Sequence, residues 1–232
     1  NVTDLDMVDA DVIFDCRGNI GKEDIEYETL YSPVNSVLLS VGPQTNPQLW
    51  SRHVATPDGW TFVIPNTTKT LSYGYVYNKD ITPLETAKTN FSEVFPEASE
   101  SYSGHFDHKE KVVNLPFESY MAKEPLRIDS NGRKIILNGN RLAFLEPMES
   151  TAVGFYAAVA QQTFNWVLNK QSRVGNVVMN DNDPHQINGM SSTNTRMIHE
   201  IHIFISWHYT KGSIYDTPFW RVSQSETTTI FE

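Results

Sequence analysis

Between Tyr27 and Tyr77 the apolar residues come in short runs, which proline, glycine and asparagine interrupt. The main runs are VNSVLLSVG at 34–42, GWTFVIP at 59–65 and LSYGYVYN at 71–78. Runs of this length, rich in β-branched and aromatic residues, predict strands rather than helices. In the last run, alternate residues from Leu71 are apolar, which is typical of a strand with one exposed face. This region therefore predicts a meandering antiparallel sheet.

The flanking segments add helices and further strands to this sheet. Residues 8–16, VDADVIFDC, predict a buried strand of the kind found in α/β sheets, and 112–113 and 133–137 predict two more. The stretch 83–100 is weakly helical. Ser150 is a suitable cap for a helix that keeps apolar spacing to Lys170. Residues 171–195 predict a loop, and 195–209 predict a last helix that stops near Gly212. The expected fold class is α/β (α+β).

Charge and length exclude several classes of protein. The 232 residues carry 28 acidic and 18 basic side chains, a net charge of -10, with no cluster of lysine or arginine. Such a chain lacks the positive surface that nucleic acid binding requires. It is long enough to bury roughly 70% of its extended surface without staples. The single Cys16 cannot form an internal disulfide, and no apolar run is long enough to predict a membrane span. We expect a cytosolic protein without a nucleic acid or membrane partner.

The segment 139–152, GNRLAFLEPMESTA, offers the clearest chemistry, because it sets a carboxylate at the start of a long helix. The first amides of a helix have no internal partner and lie at the positive end of its dipole. The N–H groups of Thr151, Ala152 and Val153 could therefore hold an anion, and Glu149 could act there as a general acid or base. The alternative is that Ser150 caps the helix and the glutamates only favour its dipole.

Five segments, in the same order along the chain, resemble the motifs of flavin-dependent halogenases of the tryptophan halogenase type. They are ADVIFDCRG at 10–18, GWTFVIP at 59–65, GYVYN at 74–78, FLEPMEST at 144–151 and IHIFISWHYTKGSIYDTPFWR at 201–221. The resemblance implies an FAD-dependent monooxygenase-like fold with an antiparallel sheet on the substrate side and a C-terminal helical region. It also implies an enzyme that uses reduced FAD, oxygen and halide to form hypohalous acid, which halogenates an electron-rich aromatic substrate.

The same resemblance assigns roles to residues near the helix start. Glu149 and Ser150 would be catalytic, and the backbone N–H groups of Thr151 and Ala152 would hold the halide. FAD would contact three further residues, Gly18, Pro147 and Met148. A separate flavin reductase would supply reduced FAD in transient contact, since the resemblance brings no nicotinamide site.

Two further groups follow from the other motifs. Trp60, Ile64 and Pro65 would form a wall between flavin and substrate. The substrate would be bound by residues of the last motif: His208, Tyr209, Asp216, Phe219 and Trp220. The alternative for these aromatic residues is ordinary packing in the core.

The chain departs from the family pattern at Arg17, where the family has threonine, at Phe62, where it has tryptophan, and at Ala152, where glycine is common. No G-x-G-x-x-G loop for the FAD pyrophosphate occurs in the sequence. The family's catalytic lysine is not assigned to any lysine here. We expect a piece of a larger enzyme that lacks the N-terminal FAD-binding half and is inactive alone.

The expected parts are the terminal strand of the FAD-binding domain at 1–22, a substrate-side sheet at 23–138, the FLEPMEST segment and long helix at 139–170, and a loop with helical substrate-binding region at 171–232.

Two other functions remain open, a related flavin monooxygenase that hydroxylates and a non-catalytic binding fragment. His199 and His202 are three residues apart on a predicted helix, but surface or core histidines explain them better than a metal site, and no metal is expected.

Overall fold

The computed structural model describes residues 5–18, 25–44, 49–66, 69–100, 112–168, 173–174, 177–178 and 184–231. The chain folds into two compact units, each made of two separate stretches. Unit 1 comprises Asn1–Tyr31 and Glu118–Phe204, and unit 2 comprises Ser32–Phe117 and Ile205–Glu232. Each unit is made of separate stretches because strands far apart in sequence pair with each other. The predicted parts with limits at 22, 138 and 170 stay a prediction.

Unit 1 contains two three-stranded sheets and a two-stranded ribbon. In the first sheet β1 (Val12–Asp15) runs parallel to β10 (Lys134–Leu137), which pairs antiparallel with β9 (Leu126–Ile128). The second sheet has the order β11-β8-β2, and the ribbon joins β12 to β13. The bounds of these strands are β2 (Tyr27–Thr29), β8 (Tyr120–Ala122), β11 (Ala143–Phe144), β12 (Arg173–Val174) and β13 (Val177–Val178). The strand predicted at 8–16 is confirmed over Val12–Asp15, and it is not buried throughout, because Phe14 is exposed.

Unit 2 is built on one antiparallel sheet of five strands in the order β4-β5-β6-β3-β7. Its strands are β3 (Ser36–Pro43), β4 (Arg52–Thr56), β5 (Gly59–Pro65), β6 (Thr70–Tyr77) and β7 (Val113–Pro116). The three predicted apolar runs correspond to β3, β5 and β6, which lie in one antiparallel sheet. Strand β4, which no run predicted, pairs with β5 at the edge of the sheet. The predicted mixed α/β class with an antiparallel sheet and C-terminal helices is confirmed.

The central strand β6 is buried on both faces, so the prediction of one exposed face was wrong. Tyr73, Tyr75 and Tyr77, on one face, are each at most 1% exposed, and Gly74 and Val76, on the other face, are also buried. Helix α1 (Leu84–Val94) covers the tyrosine face, where the ring of Phe91 packs edge-on to Tyr75 with ring centres 6.1 Å apart. The strand therefore lies at the centre of the hydrophobic core of this unit rather than at its surface.

The helical stretch predicted at 83–100 is divided in two. Helix α1 ends at Val94, and α2 (Pro96–Glu100) begins after a single intervening residue. A proline disfavours helical geometry in the residue before it, and Phe95 has φ -130° and ψ 69°. The break places Phe95 in the core, 5.0 Å from the ring centre of Tyr73.

Three helices complete the described chain. They are α3 (Thr151–Leu168), α4 (Pro184–Lys211) and α5 (Pro218–Thr228). The loop predicted at 171–195 was wrong in both halves. Strands β12 and β13 form a ribbon in the first half, and α4 begins at Pro184, well before the predicted start at 195. Proline is well tolerated in the first turn of a helix, so Pro184 was the available local signal. Within the described residues, no helix has the length and apolar character that crossing a membrane requires.

Candidate active site

The segment between β10 and α3 carries the predicted catalytic residues of unit 1. After β10 ends, the side chain of Asn138 accepts a hydrogen bond from the N–H of Gly139, which begins a 3-10 turn to Arg141. Strand β11 follows, and a second 3-10 turn over Met148–Ser150 leads directly into α3. Both turns are fixed at their ends by regular elements, so the loop has little freedom to rearrange.

Glu149 and Ser150 are both held in the left-handed backbone conformation. Their φ angles are +60° and +51°, whereas Thr151, the next residue, returns to the right-handed helical region at φ -58° and ψ -30°. Each left-handed residue other than glycine costs about 1–2 kcal/mol relative to the right-handed form. Both side chains are exposed, and strain of this kind concentrates at functional sites.

Ser150 lies at the position before the first residue of α3, as predicted, but its backbone is not that of an ordinary cap. An N-cap residue usually has extended φ and ψ angles, whereas Ser150 is left-handed. Its own N–H donates to the carbonyl of Pro147 over 3.1 Å. The chain therefore enters the helix through a tight turn that fixes the direction of the Glu149 side chain relative to the helix end.

The change of hand at Ser150–Thr151 gives the helix start a shape suited to an anion. Successive residues of opposite hand turn their N–H groups toward one concave point, and the first helical amides have no partner within the helix. The hydroxyl oxygen of Thr151 is also buried without a hydrogen-bond partner among the described residues. The amides of Thr151 and Ala152 have no partner within the helix, so they are available to an anion, and the binding of a halide there stays a prediction.

Tyr156 ties the first turns of α3 to the loop before them. Its hydroxyl donates to the carbonyl of Ala143 at 2.7 Å and lies 2.9 Å from the Asn140 side-chain oxygen. Asn138 in turn donates to the carbonyl of Tyr156. Burial raises the pKa of Tyr156 to about 12, so the hydroxyl stays protonated and remains a donor. These contacts hold the helix start in place without using Glu149.

A buried charge cluster, which sequence reasoning missed, lies where β1 ends. The Asp15 carboxylate accepts hydrogen bonds from Arg17 Nε at 2.8 Å and from Arg141 Nε at 2.9 Å, and Arg141 is fully buried. Burial by itself raises the pKa of Asp15, but the two arginines outweigh it and hold that pKa below its ordinary value. The cluster joins the end of β1 to the turn after β10, and Gly18 follows it with φ +71°.

Of the predicted wall in unit 2, Trp60 is buried and Ile64 is exposed, while Pro65 is partly buried. The Trp60 ring lies edge-on to His53 at 5.5 Å and 5.9 Å from Phe62. Its indole N–H is buried and finds no acceptor in the described part of the chain. Such donors are rare in native proteins and mark places where a further group is expected.

Phe62, which stands where the family has tryptophan, packs directly over Gly74. A Cβ atom built on Gly74 would lie 2.1 Å from the Phe62 ring, far inside contact distance. Strands β5 and β6 pair at these two residues, so the ring lies flat across the neighbouring strand. The glycine of the GYVYN segment is therefore explained by the aromatic residue opposite it.

The last motif places three of its aromatic residues together in the core of unit 2. The Tyr209 ring lies 6.3 Å from that of Phe219 and 5.8 Å from that of Trp220, and all three are at most 2% exposed. His208 is partly buried beside Trp207. Asp216 is exposed and forms an ion pair with Arg221, whose hydrogen bonds lower the pKa of that carboxyl. Contact of these residues with a substrate stays a prediction.

One histidine of α4, His202, has a structural explanation. His202 Nε2 lies 2.6 Å from the carbonyl oxygen of Tyr31, and burial lowers the pKa of this histidine. The structure, as far as it is described, contains no group of three or more histidine, cysteine, aspartate or glutamate side chains that could hold a metal ion. His202 thus fastens α4 to the chain after β2.

The predicted site residues are divided between the two units. Gly18 and residues 147–152 belong to unit 1, whereas the wall residues and the residues of the last motif belong to unit 2. In unit 1 the residues lie near the end of β1 and at the start of α3, and in unit 2 they lie on β5, α4 and α5 and in the segment before α5.

The mixed sheets and the collinear motifs agree with the fold that the resemblance implied. The sequence profile described as "Tryptophan halogenase" matches residues 1–230. The chain belongs to the tryptophan halogenase family, which confirms the family predicted from the motifs.

Solved structures agree with this fold. A tryptophan 6-halogenase from Streptomyces toxytricini superposes with a TM-score of 0.70 at 20% identity, covering 94% of this chain and 40% of that one. A flavin-dependent halogenase from Brevundimonas sp. BAL3 gives 0.71 at 19% identity, with 94% and 41% coverage. A tryptophan halogenase from Shewanella frigidimarina NCIMB 400 gives 0.69 at 17%, with 94% and 40%. The present chain spans about two fifths of their length.

Proposed function

We propose that the full-length protein is a flavin-dependent halogenase, in which reduced FAD, oxygen and halide yield hypohalous acid that halogenates an electron-rich aromatic compound. The family of the chain supports this proposal. The observation that links the proposal to particular residues is the left-handed backbone of Glu149 and Ser150, which sets an exposed carboxylate beside the first amides of α3. A strained turn of this kind is costly to keep, and an anion site gives it a purpose.

The residues of this segment would divide the work as follows. The N–H groups of Thr151 and Ala152 hold the halide, aided by the helix dipole. Glu149 holds or accepts a proton at a carboxyl oxygen, as required when halogen replaces a ring hydrogen and a proton must leave. Ser150, through its left-handed backbone, sets the distance between these two functions, which makes it a catalytic residue by position.

FAD would supply the oxidation chemistry when bound. Apart from its chain neighbours, no described residue has an atom within 4 Å of the place where a Cβ of Gly18 would be, which leaves room for such a group. Met148 is only 8% exposed, so it would offer the group a packed edge, and Pro147 borders it. These residues form one side of a flavin site only, since the sequence contains no dinucleotide loop.

On the substrate side we propose that Trp60, Ile64 and Pro65 separate the aromatic compound from the flavin. The residues of the last motif would bind the substrate or support the side chains that bind it. They are His208, Tyr209, Asp216, Phe219 and Trp220. A separate reductase in transient contact would deliver reduced FAD, and the reaction would take place in the cytosol.

The test is incubation of the full-length protein with a flavin reductase, NADH, FAD, oxygen and a panel of aromatic compounds, each with chloride, bromide or iodide. Mass spectrometry should detect a halogen in the product. Addition of oxygen alone would instead establish a hydroxylase. The absence of any product across the panel would favour a binding protein.

The sharper test is Glu149→Gln, which keeps the shape of the side chain but removes its charge. We expect flavin oxidation to continue while aromatic halogenation is lost, because only the proton-handling group is changed. Glu124→Gln is the matched control, since Glu124 is an exposed glutamate of the same unit outside the proposed site. Product formation by Glu149→Gln at the rate of this control would remove Glu149 from the mechanism.

A further inference from the structure

The turn between β4 and β5, two residues before Trp60, is held by hydrogen bonds from the start of α5. The indole N–H of Trp220 donates to the carbonyl of Thr56 over 2.7 Å, and the hydroxyl of Thr217 donates to the carbonyl of Pro57 over 2.6 Å. Both acceptors are main-chain atoms. These two hydrogen bonds therefore hold the main chain of the turn directly.

The other side of the same turn is fixed through Asp58. This buried carboxylate accepts hydrogen bonds from the hydroxyl of Tyr75 at 2.5 Å, the hydroxyl of Thr82 at 3.0 Å and the side-chain amide of Asn90 at 2.6 Å. Gly59 completes the turn with φ +155°, and a Cβ there would lie 2.2 Å from the carbonyl oxygen of Val76. These contacts therefore fix the position of the turn between β6 and α5.

Trp60, by contrast, has no polar tether of its own among the described residues. Its indole N–H lacks a partner, and its ring is held by the neighbouring rings of His53 and Phe62. The ring position therefore follows the backbone of β5, which begins at the turn. A shift of the turn would be transmitted to Trp60 within two residues.

We propose that Thr217 and Trp220 are positioning residues for Trp60. The helix α5 acts as a fixed support that holds the β4–β5 turn and, through it, the Trp60 ring. Thr217 links the two roles, because its oxygen also accepts the N–H of Trp220 as the cap of α5. The part of the inference that concerns substrate binding rests on the proposed function, and the part that concerns the ring position does not.

Substitutions at Thr217 can separate the turn contact from the helix cap. Thr217→Ser keeps the donor and the cap. Thr217→Asp keeps a good cap but removes the donor, since a carboxylate only accepts. Thr227→Val is the matched control, because it removes a buried hydroxyl of the same helix that donates to Ser223 and not to the turn.

The ring position is measured in the full-length protein labelled with 5-fluorotryptophan, by fluorine NMR. The Trp60 resonance is the one that Trp60→Phe removes. We expect Thr217→Asp and Trp220→Phe to move this resonance, and Thr217→Ser and Thr227→Val to leave it in place. A Trp60 resonance that is unchanged in Thr217→Asp, with the protein folded by circular dichroism, would overturn the proposal.

The same variants test the consequence for the reaction. Loss of one net hydrogen bond predicts a rise of about two- to tenfold in KM for the aromatic substrate of Thr217→Asp, with flavin oxidation unchanged. An unchanged KM together with a moved resonance would overturn the role in substrate binding and support the positioning of the ring. A lack of product from the unsubstituted protein would contradict the proposed function, and the fluorine result alone would then decide this inference.

Discussion

The strain at the start of α3 can be measured by replacing Ser150 with glycine. Serine at φ +51° carries a cost of about 1–2 kcal/mol, which glycine does not carry. Against this gain, glycine loses about 0.5–1 kcal/mol more chain entropy on folding, and its weaker capping costs a few tenths more. The balance predicts that Ser150→Gly raises the free energy of unfolding by about 0.5 kcal/mol.

The assay is urea denaturation of the full-length protein, with two reference variants. Ala157→Gly, on the exposed face of α3, measures the ordinary penalty of glycine and should lower the free energy of unfolding by about 1 kcal/mol. Ser150→Ala keeps the left-handed strain and removes the hydroxyl, so it should not stabilise. If Ser150→Gly destabilises as much as Ala157→Gly, the left-handed conformation costs nothing and the strain argument is refuted.

Two further predictions concern packing and charge. Gly74→Ala should lower the free energy of unfolding in urea by about 1–3 kcal/mol, because the new Cβ meets the Phe62 ring. Adding Phe62→Leu should recover part of this loss, whereas additive effects of the two substitutions would disprove the contact. Asp15→Asn should cost about 3–5 kcal/mol at pH 7, since it leaves Arg141 buried without its carboxylate. Because the pKa of Asp15 is lowered in the folded state, its stabilisation is present above the ordinary value of 3.8 and is lost as the pH falls through the lowered pKa. Acid titration of the unfolding free energy should therefore show a decline that Asp15→Asn flattens, and identical slopes would contradict the assignment.

Local patterns in the sequence predicted the strands and the long helix well. The run GWTFVIP predicted β5 at 59–65, the bounds that the structure has. The following run at 71–78 predicted β6, which occupies Thr70–Tyr77. Proline and glycine mark the ends of these segments in the sequence itself, so no knowledge of distant contacts was needed to predict them.

The features that the sequence did not reveal all depend on distant partners. Arg141 looks like a surface residue until the carboxylate of Asp15, 126 residues away, is brought to it. Nothing in the residue types of Glu149 and Ser150 indicates a left-handed backbone, because neither favours it. Thr217 was not singled out from the sequence, and its bond to Pro57 exists only once the turn has folded against α5.

The pairing of β1 with β10 has a consequence for the synthesis of the chain. Val12 pairs with Lys134, so 122 residues must follow β1 before its parallel neighbour exists. At about 5–20 residues per second, this interval lasts roughly 6–24 s on the ribosome. During it the apolar strand end and the carboxylate of Asp15 have neither their neighbouring strand nor Arg141. The parallel pair of β1 and β10 therefore forms only after most of the chain between them has been made.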